Sequence, residues 1–352
     1  MNQLLKALVD QQASDLHLIV GSVPCLRVDG RIVRIKADKL DPKTIKEMMY
    51  SILSDKQKAK FEEKKELDFS FGVKRLARFR CNLSYHMGTV SSVFRRIPNE
   101  IPTFESLHLP QILHDLAKAK SGLILVTGAT GSGKSTTLAA MIDRINREEH
   151  GSIMTIEDPV EYIHTHKNCV VRQREVGLDT KAFHTAMRSL LRQDPDYCLV
   201  GEMRDKETIE AALTVAETGH LVFGTLHTNN AVQTINRIMT VFSAEQQERV
   251  RIQLSFSLQA IVAQQLIPAI NGGLALACEI LVPNTGIRNL IRENKLHQIS
   301  GLMQTGQAYS GMQTMNQSIM QLLVKRKVEM KDAFRASPDP DELDQLLRKA
   351  GL

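Results

Sequence analysis

The chain has 352 residues, 43% of them hydrophobic and 24% charged, with a formal net charge of +6. That is too long for one ordinary core, so two domains of a globular protein are predicted. No apolar run reaches the ~18 residues of a membrane span and no charged-then-apolar leader opens the chain, so neither a span nor a secretory signal is expected.

Residues 1–98 read as a small α+β domain. Leu16, Leu18 and Val20 alternate with Asp15, His17 and Ile19, which predicts a strand. Leu26–Val28 and Arg31–Ile35 flank Asp29-Gly30, a two-residue hairpin signal. Ile45, Met48, Met49, Ile52 and Leu53 have helical spacing. The charge run Lys56–Glu66 reads as a solvated helix face. Leu76–Leu83 and Thr89–Arg95 read as two more strands. Ile97-Pro98 and Ile101-Pro102 break regular structure, so residues 99–112 are the expected linker and 113–352 the second domain.

In the second domain strands and helices alternate. The expected strands are Gly122–Val126, Ser152–Ile156, Tyr197–Val200 and Leu221–Leu226. Between them lie a helix after Ser135, one over Thr180–Gln193, and one with Asp205 as N-cap and Gly219 at its end. This order predicts a parallel sheet with helices on both faces. From Ser243 onward the chain reads as mostly helical, with Val250, Leu254, Leu258 and Ile261 as one apolar stripe and Leu274–Val282 as a strand. The five cysteines include no C-x-x-C pair, which argues for free thiols and against a zinc cluster. His164 and His166 have strand spacing but no third ligand near them, and His220, at a helix end, reads as structural.

Gly128-Ala-Thr130-Gly131-Ser132-Gly133-Lys134-Ser135 matches the phosphate-loop pattern G-x-x-x-x-G-K-[ST], with the strand before it and the helix after it that the pattern needs. Backbone N–H groups of such a loop wrap phosphates, and the helix N-terminus, including Thr136, adds partial positive charge. Lys134 reaches the β- and γ-phosphates and the Ser135 hydroxyl ligates Mg²⁺. Ligands of such sheets lie beyond the carboxyl ends of the strands. Gly128, Glu157, Glu202 and His227 each follow a predicted strand closely. Either glutamate can deprotonate a water, leaving the other to hold Mg²⁺. His227 is placed to sense a γ-phosphate. Arg80 and Arg95, on first-domain strands, are candidates for an arginine supplied to the site. Aromatic residues are only 5%, so no stacking platform for nucleic acid is expected.

Three further blocks resemble the PilT/GspE family of secretion and pilus motor ATPases. Thr155–Glu161 is similar to the family's acidic box, Asp194–Asp205 to its atypical metal-site motif, and Ala216–Thr228 to its histidine box. Within the family, Ile287–Arg292 and Gly311–Met315 are most similar to the pilus-retraction class, although Gly286 stands where that class has alanine, and Ala13–Leu18 lies almost at the start of the sequence. The extra leading domain and four-cysteine insert of extension and secretion members are not expected here. The resemblance implies a homohexamer of PAS-like and RecA-like domains binding ATP and Mg²⁺. It makes Glu157 the catalytic glutamate, Glu202 the metal-site glutamate and His227 the second box histidine, with Arg80 and Arg95 as the first-domain arginines. It also implies a cytoplasmic location at the inner face of the inner membrane, where hydrolysis acts on a platform protein and withdraws pilin. The alternatives are an extension or secretion motor of the same family, a nucleotide-gated binding protein with little hydrolysis, and a nucleic-acid translocase.

Overall fold

Backbone contacts divide the chain, seen here in a computed structural model, into two units: Met1–Glu100 with Glu161–Ile163, and Ile101–Val160 with His164–Leu352. Every residue is described except Asp29, Arg75, Pro98, Asn99 and Leu352, and for residues 306–310 only the backbone is. Asp29 of the expected hairpin and Pro98 and Asn99 near the expected domain boundary therefore lie outside the described residues.

The first unit is built on strands β1 (Asp15–Leu18), β2 (Cys25–Val28), β3 (Arg31–Arg34), β4 (Glu66–Val73), β5 (Ala77–His86) and β6 (Thr89–Ile97). They form one antiparallel sheet in the order β3-β2-β1-β6-β5-β4. Helices Asn2–Asp10, Pro42–Tyr50 and Asp55–Lys64 send Leu5, Leu8, Ile45, Met49 and Phe61 into the core beneath this sheet. The charge run is the Asp55–Lys64 helix. Ser54 caps it, and of its residues only Phe61 is buried. There Phe61 stacks on Tyr85 at 5.1 Å.

The second unit carries β7 (Gly122–Thr127), β8 (Ser152–Glu157), β9 (Val170–Glu175), β10 (Tyr197–Val200), β11 (Leu221–Leu226), β12 (Leu258–Pro268) and β13 (Leu274–Leu281). Their order is β13-β12-β7-β11-β10-β8-β9. Every neighbouring pair is parallel except β12–β13. All six residues of β7 and all six of β11 are buried, the mark of a strand covered on both faces. Leu123 and Leu125 join one core; Ile124 and Val126 join the other, with Leu138, Met141, Ile142 and Ile145 of the helix Lys134–Glu148.

Three elements differ from the sequence expectation. The stripe through Val250, Leu254, Leu258 and Ile261 is not one helix. The helix Ala244–Ser257 stops at Ser257, and Leu258 opens β12 alongside β7. A short apolar run has the same spacing cues in a buried strand as in a helix, and the vacant sheet edge decides the outcome. β9 carries charged residues among few apolar ones and gives no clear period. The helix expected over Thr180–Gln193 is shorter, Phe183–Leu190.

Candidate active site

Strand register gathers the candidate residues of the second unit along one sheet edge. Thr127, the last residue of β7, pairs with Leu226 of β11 and with Ala263 of β12. Ala263 pairs in turn with Glu279 of β13. The phosphate loop follows Thr127, His227 follows Leu226, and Glu157 ends β8. Glu202 lies two residues beyond β10.

The phosphate loop bends through three glycines of positive φ: Gly128 at 141°, Gly131 at 80° and Gly133 at 89°. At Gly128 a Cβ would come within 2.4 Å of the Gln264 carbonyl oxygen. β12 thus walls the loop so closely that no side chain fits there. Gly133 hands over to the helix at Lys134. The Lys134 ammonium is buried against its own loop and donates to the carbonyls of Gly128 at 2.8 Å and Ala129 at 2.9 Å. Ser132 is buried, while Ser135 and Thr136 are partly open at the helix start and Thr130 and Gly131 are exposed. Thr127 Oγ1, Ser132 Oγ and Gln264 Oε1 are buried without a hydrogen-bond partner. Buried polar atoms in that state mark a place built for a further polar partner. Hydroxyls on donor-rich backbone suit a phosphate, and oxygen ligands suit a hard cation such as Mg²⁺. A cleft of about 580 Å³ opens beside the loop, lined by Ala129, Thr130, Gly131, Asn230, Gln265 and Glu279 among others.

The two glutamates are held differently. Glu157 Oε1 accepts from Thr155 Oγ1 at 2.6 Å and from Gln173 Nε2, on β9, at 3.2 Å. Glu202 Oε1 accepts from the Arg204 guanidinium and lies 3.1 Å from His227 Nε2. The Glu202 carboxylate in turn holds the Arg204 pKa above its ordinary value. Gly201 has a packing reason: a Cβ there would come within 3.1 Å of both the Glu157 Cα and the Ile156 carbonyl. The small residue lets the ends of β8 and β10 approach. Glu202, His227, Arg204 and Arg237 share a second cleft of about 410 Å³. Sequence reasoning missed Gln173, Arg204, Gln264 and Glu279. Each is an ordinary polar residue until register places it at this edge.

Arg80 and Arg95 belong to the first unit, where they face each other across β5 and β6. Arg95 in turn faces Asp15, and Asp15 faces Arg27. Arg95 Nε donates to the buried Asp15 carboxylate at 2.8 Å. That anion between two cations offsets the repulsion of a cross-strand arginine pair. Two histidines outside the candidate set, His166 and His220, have structural partners. His166 Nδ1 accepts from the Val171 N–H at 3.0 Å, and His220 Nδ1 lies 3.1 Å from the Val215 carbonyl oxygen. All five cysteines are free, and burial pushes the Cys198 and Cys278 thiols up to about 12.

The chain matches the type II/IV secretion system protein family over residues 1–350. It is 48% identical to the type IV pilus retraction ATPase PilT of Pseudomonas aeruginosa, over 97% of this chain and 99% of that protein. It is 44% identical to a twitching motility protein of Neisseria gonorrhoeae, over 97% of this chain and 91% of that protein. The solved structure of the pilus retraction motor PilT with bound ADP superposes with a TM-score of 0.92 at 52% identity, covering 97% of this chain and 98% of that one.

Proposed function

The chain belongs to the type II/IV secretion system protein family, and we propose from that membership that it is the ATP-hydrolysing motor of type IV pilus retraction. The carrying observation is the near full-length likeness to the retraction ATPase, joined to a phosphate loop with Glu157, Glu202 and His227 along one sheet edge. The reading divides the chain into a first domain over 1–98, a linker over 99–112 and a motor domain over 113–352. It makes the protein a homohexamer at the cytoplasmic face of the inner membrane, working on a platform protein. No helix among the described residues is long and apolar enough to cross a membrane.

The chemistry is in-line transfer of the γ-phosphoryl group of ATP to water, which rests on positioning and charge stabilisation. Gly128, Thr130, Gly131, Ser132, Gly133, Ser135 and Thr136 cradle the phosphates. The Lys134 ammonium, held on two loop carbonyls, exchanges them for phosphate oxygens. Ser135 and Glu202 would hold Mg²⁺, which supplies charge neutralisation between phosphates when bound. Glu157 takes the proton of the attacking water, steered by Thr155 and Gln173. His227 senses the γ-phosphate and reports to Glu202. Arg80 and Arg95 complete the site from a first domain, with Asp15 setting the direction of Arg95.

The test joins enzyme and cell. Purified protein hydrolyses ATP with magnesium; Lys134→Ala abolishes turnover, and Glu157→Gln binds ATP but turns it over at least ~10²-fold more slowly. Deleting the gene leaves cells with abundant surface pili and no twitching. Bald cells would instead assign the chain to extension.

A further inference from the structure

We propose that Glu279 is a positioning residue for the His227 loop, tying it to the sheet edge at the phosphate-loop cleft. Glu279 is a mostly buried carboxylate on β13, in lateral register with Thr127 and Leu226 through Ala263. Its Oε1 accepts from the Ala231 N–H at 2.8 Å, and Met315 lines the same cleft. Ala231 and Met315 are the first residues of the helices Ala231–Thr240 and Met315–Val324. Glu279 therefore holds the start of the helix Ala231–Thr240 and shares a cleft with the start of the helix Met315–Val324; the exposed amides and positive end of a helix start favour an anion.

Residues 227–230 are the whole connection between β11 and the first of these helices. One end of that connection is fixed by the sheet, where Leu226 pairs with Thr127. The other end is fixed by Glu279. His227, held between two anchors, keeps its place 3.1 Å from Glu202. Asn230 and Glu279 line the same cleft as Ala129–Ser132 of the phosphate loop, together with Met315. A carboxylate left inside the protein is costly, and burial raises the Glu279 pKa. An apolar residue would fill the site without that cost. What the carboxylate adds is a charge-assisted link from the nucleotide edge to the end of the His227 loop.

This inference rests on the ATPase reading, and the experiment separates the two. ATP turnover by the intact protein is measured for wild type, Glu279→Gln, His227→Ala and the double variant, with assembly and melting temperature followed in parallel. Gln keeps the shape but offers one acceptor oxygen where the carboxylate offers two. The expected result is a kcat about fivefold lower for Glu279→Gln, with the KM for ATP changed by less than about threefold. In the double variant kcat equals that of His227→Ala alone, because the two residues act as one unit. Should Glu279→Gln assemble poorly, Glu279→Asp, which keeps the charge and shortens the reach, gives the same pattern. Wild-type kcat in the Glu279 variant, or a double variant slowed by the product of the single effects, overturns the proposal. Wild-type protein that leaves ATP intact overturns the ATPase reading instead.

Discussion

At the scale of single residues, environment rather than type separates the histidines. His227 is exposed at the end of a strand beside a carboxylate, whereas His164 is buried with its Nδ1 unpartnered. Burial lowers the His164 pKa from 6.5 to about 4, against the opposing pull of Asp143. The sign follows from where each state takes its proton. The unfolded chain protonates near the ordinary value and the folded chain only near 4. Above pH 6.5 His164 has no effect on stability; as pH falls from 6.5 toward 4 the fold loses up to about 3 kcal/mol. His164→Gln removes that term. Melting temperatures recorded between pH 7.5 and pH 4.5 will fall less steeply in the variant than in the parent.

Among elements, two glycines give opposite outcomes under the same change. Gly224 lies inside β11, and an added Cβ would come within 2.3 Å of Met203 Sδ and 3.3 Å of Leu125 Cδ2. Met203 follows Glu202 in the chain, so relief of that clash shifts Glu202, the glutamate proposed to hold Mg²⁺. Gly224→Ala is expected to cost about 1–3 kcal/mol and to lower kcat as well. Gly286 is in the first turn of the helix Thr285–Arg292, where a Cβ meets only Asn284 Oδ1 at 3.4 Å and Leu302 Cδ1 at 3.6 Å. Gly286→Ala, the residue of the retraction class, is expected to add about 0.5–1 kcal/mol. Chemical denaturation of both variants reads the two signs directly.

For the whole molecule, the question is where the arginines act. Arg80 and Lys134 fall in different units of the chain, and each subunit is proposed to finish another's site. Arg80→Ala and Lys134→Ala subunits are each inactive alone. When mixed, some interfaces pair an intact Arg80 with an intact Lys134, and turnover returns. An arginine finger is worth about 10³–10⁵ in rate, so partial rescue stands well clear of background. Absence of rescue would remove the support for Arg80 acting across a subunit boundary and leave it unassigned.

The amino-acid order alone determined the phosphate loop, the alternation of strands and helices around it, and the acidic and histidine tips after Ile156, Gly201 and Leu226. These are local signals, because glycine conformation, apolar period and capping act over a few residues. Tertiary structure alone decided what those tips touch. Gln173 reaches Glu157 from β9, whose charged sequence hides its strand. β12 becomes a strand because an edge of β7 was open to it. Glu279 comes level with Thr127 through two strand pairings, more than 150 residues apart in sequence. Register across a sheet is fixed by the packing of both faces at once, which no stretch of neighbouring residues records.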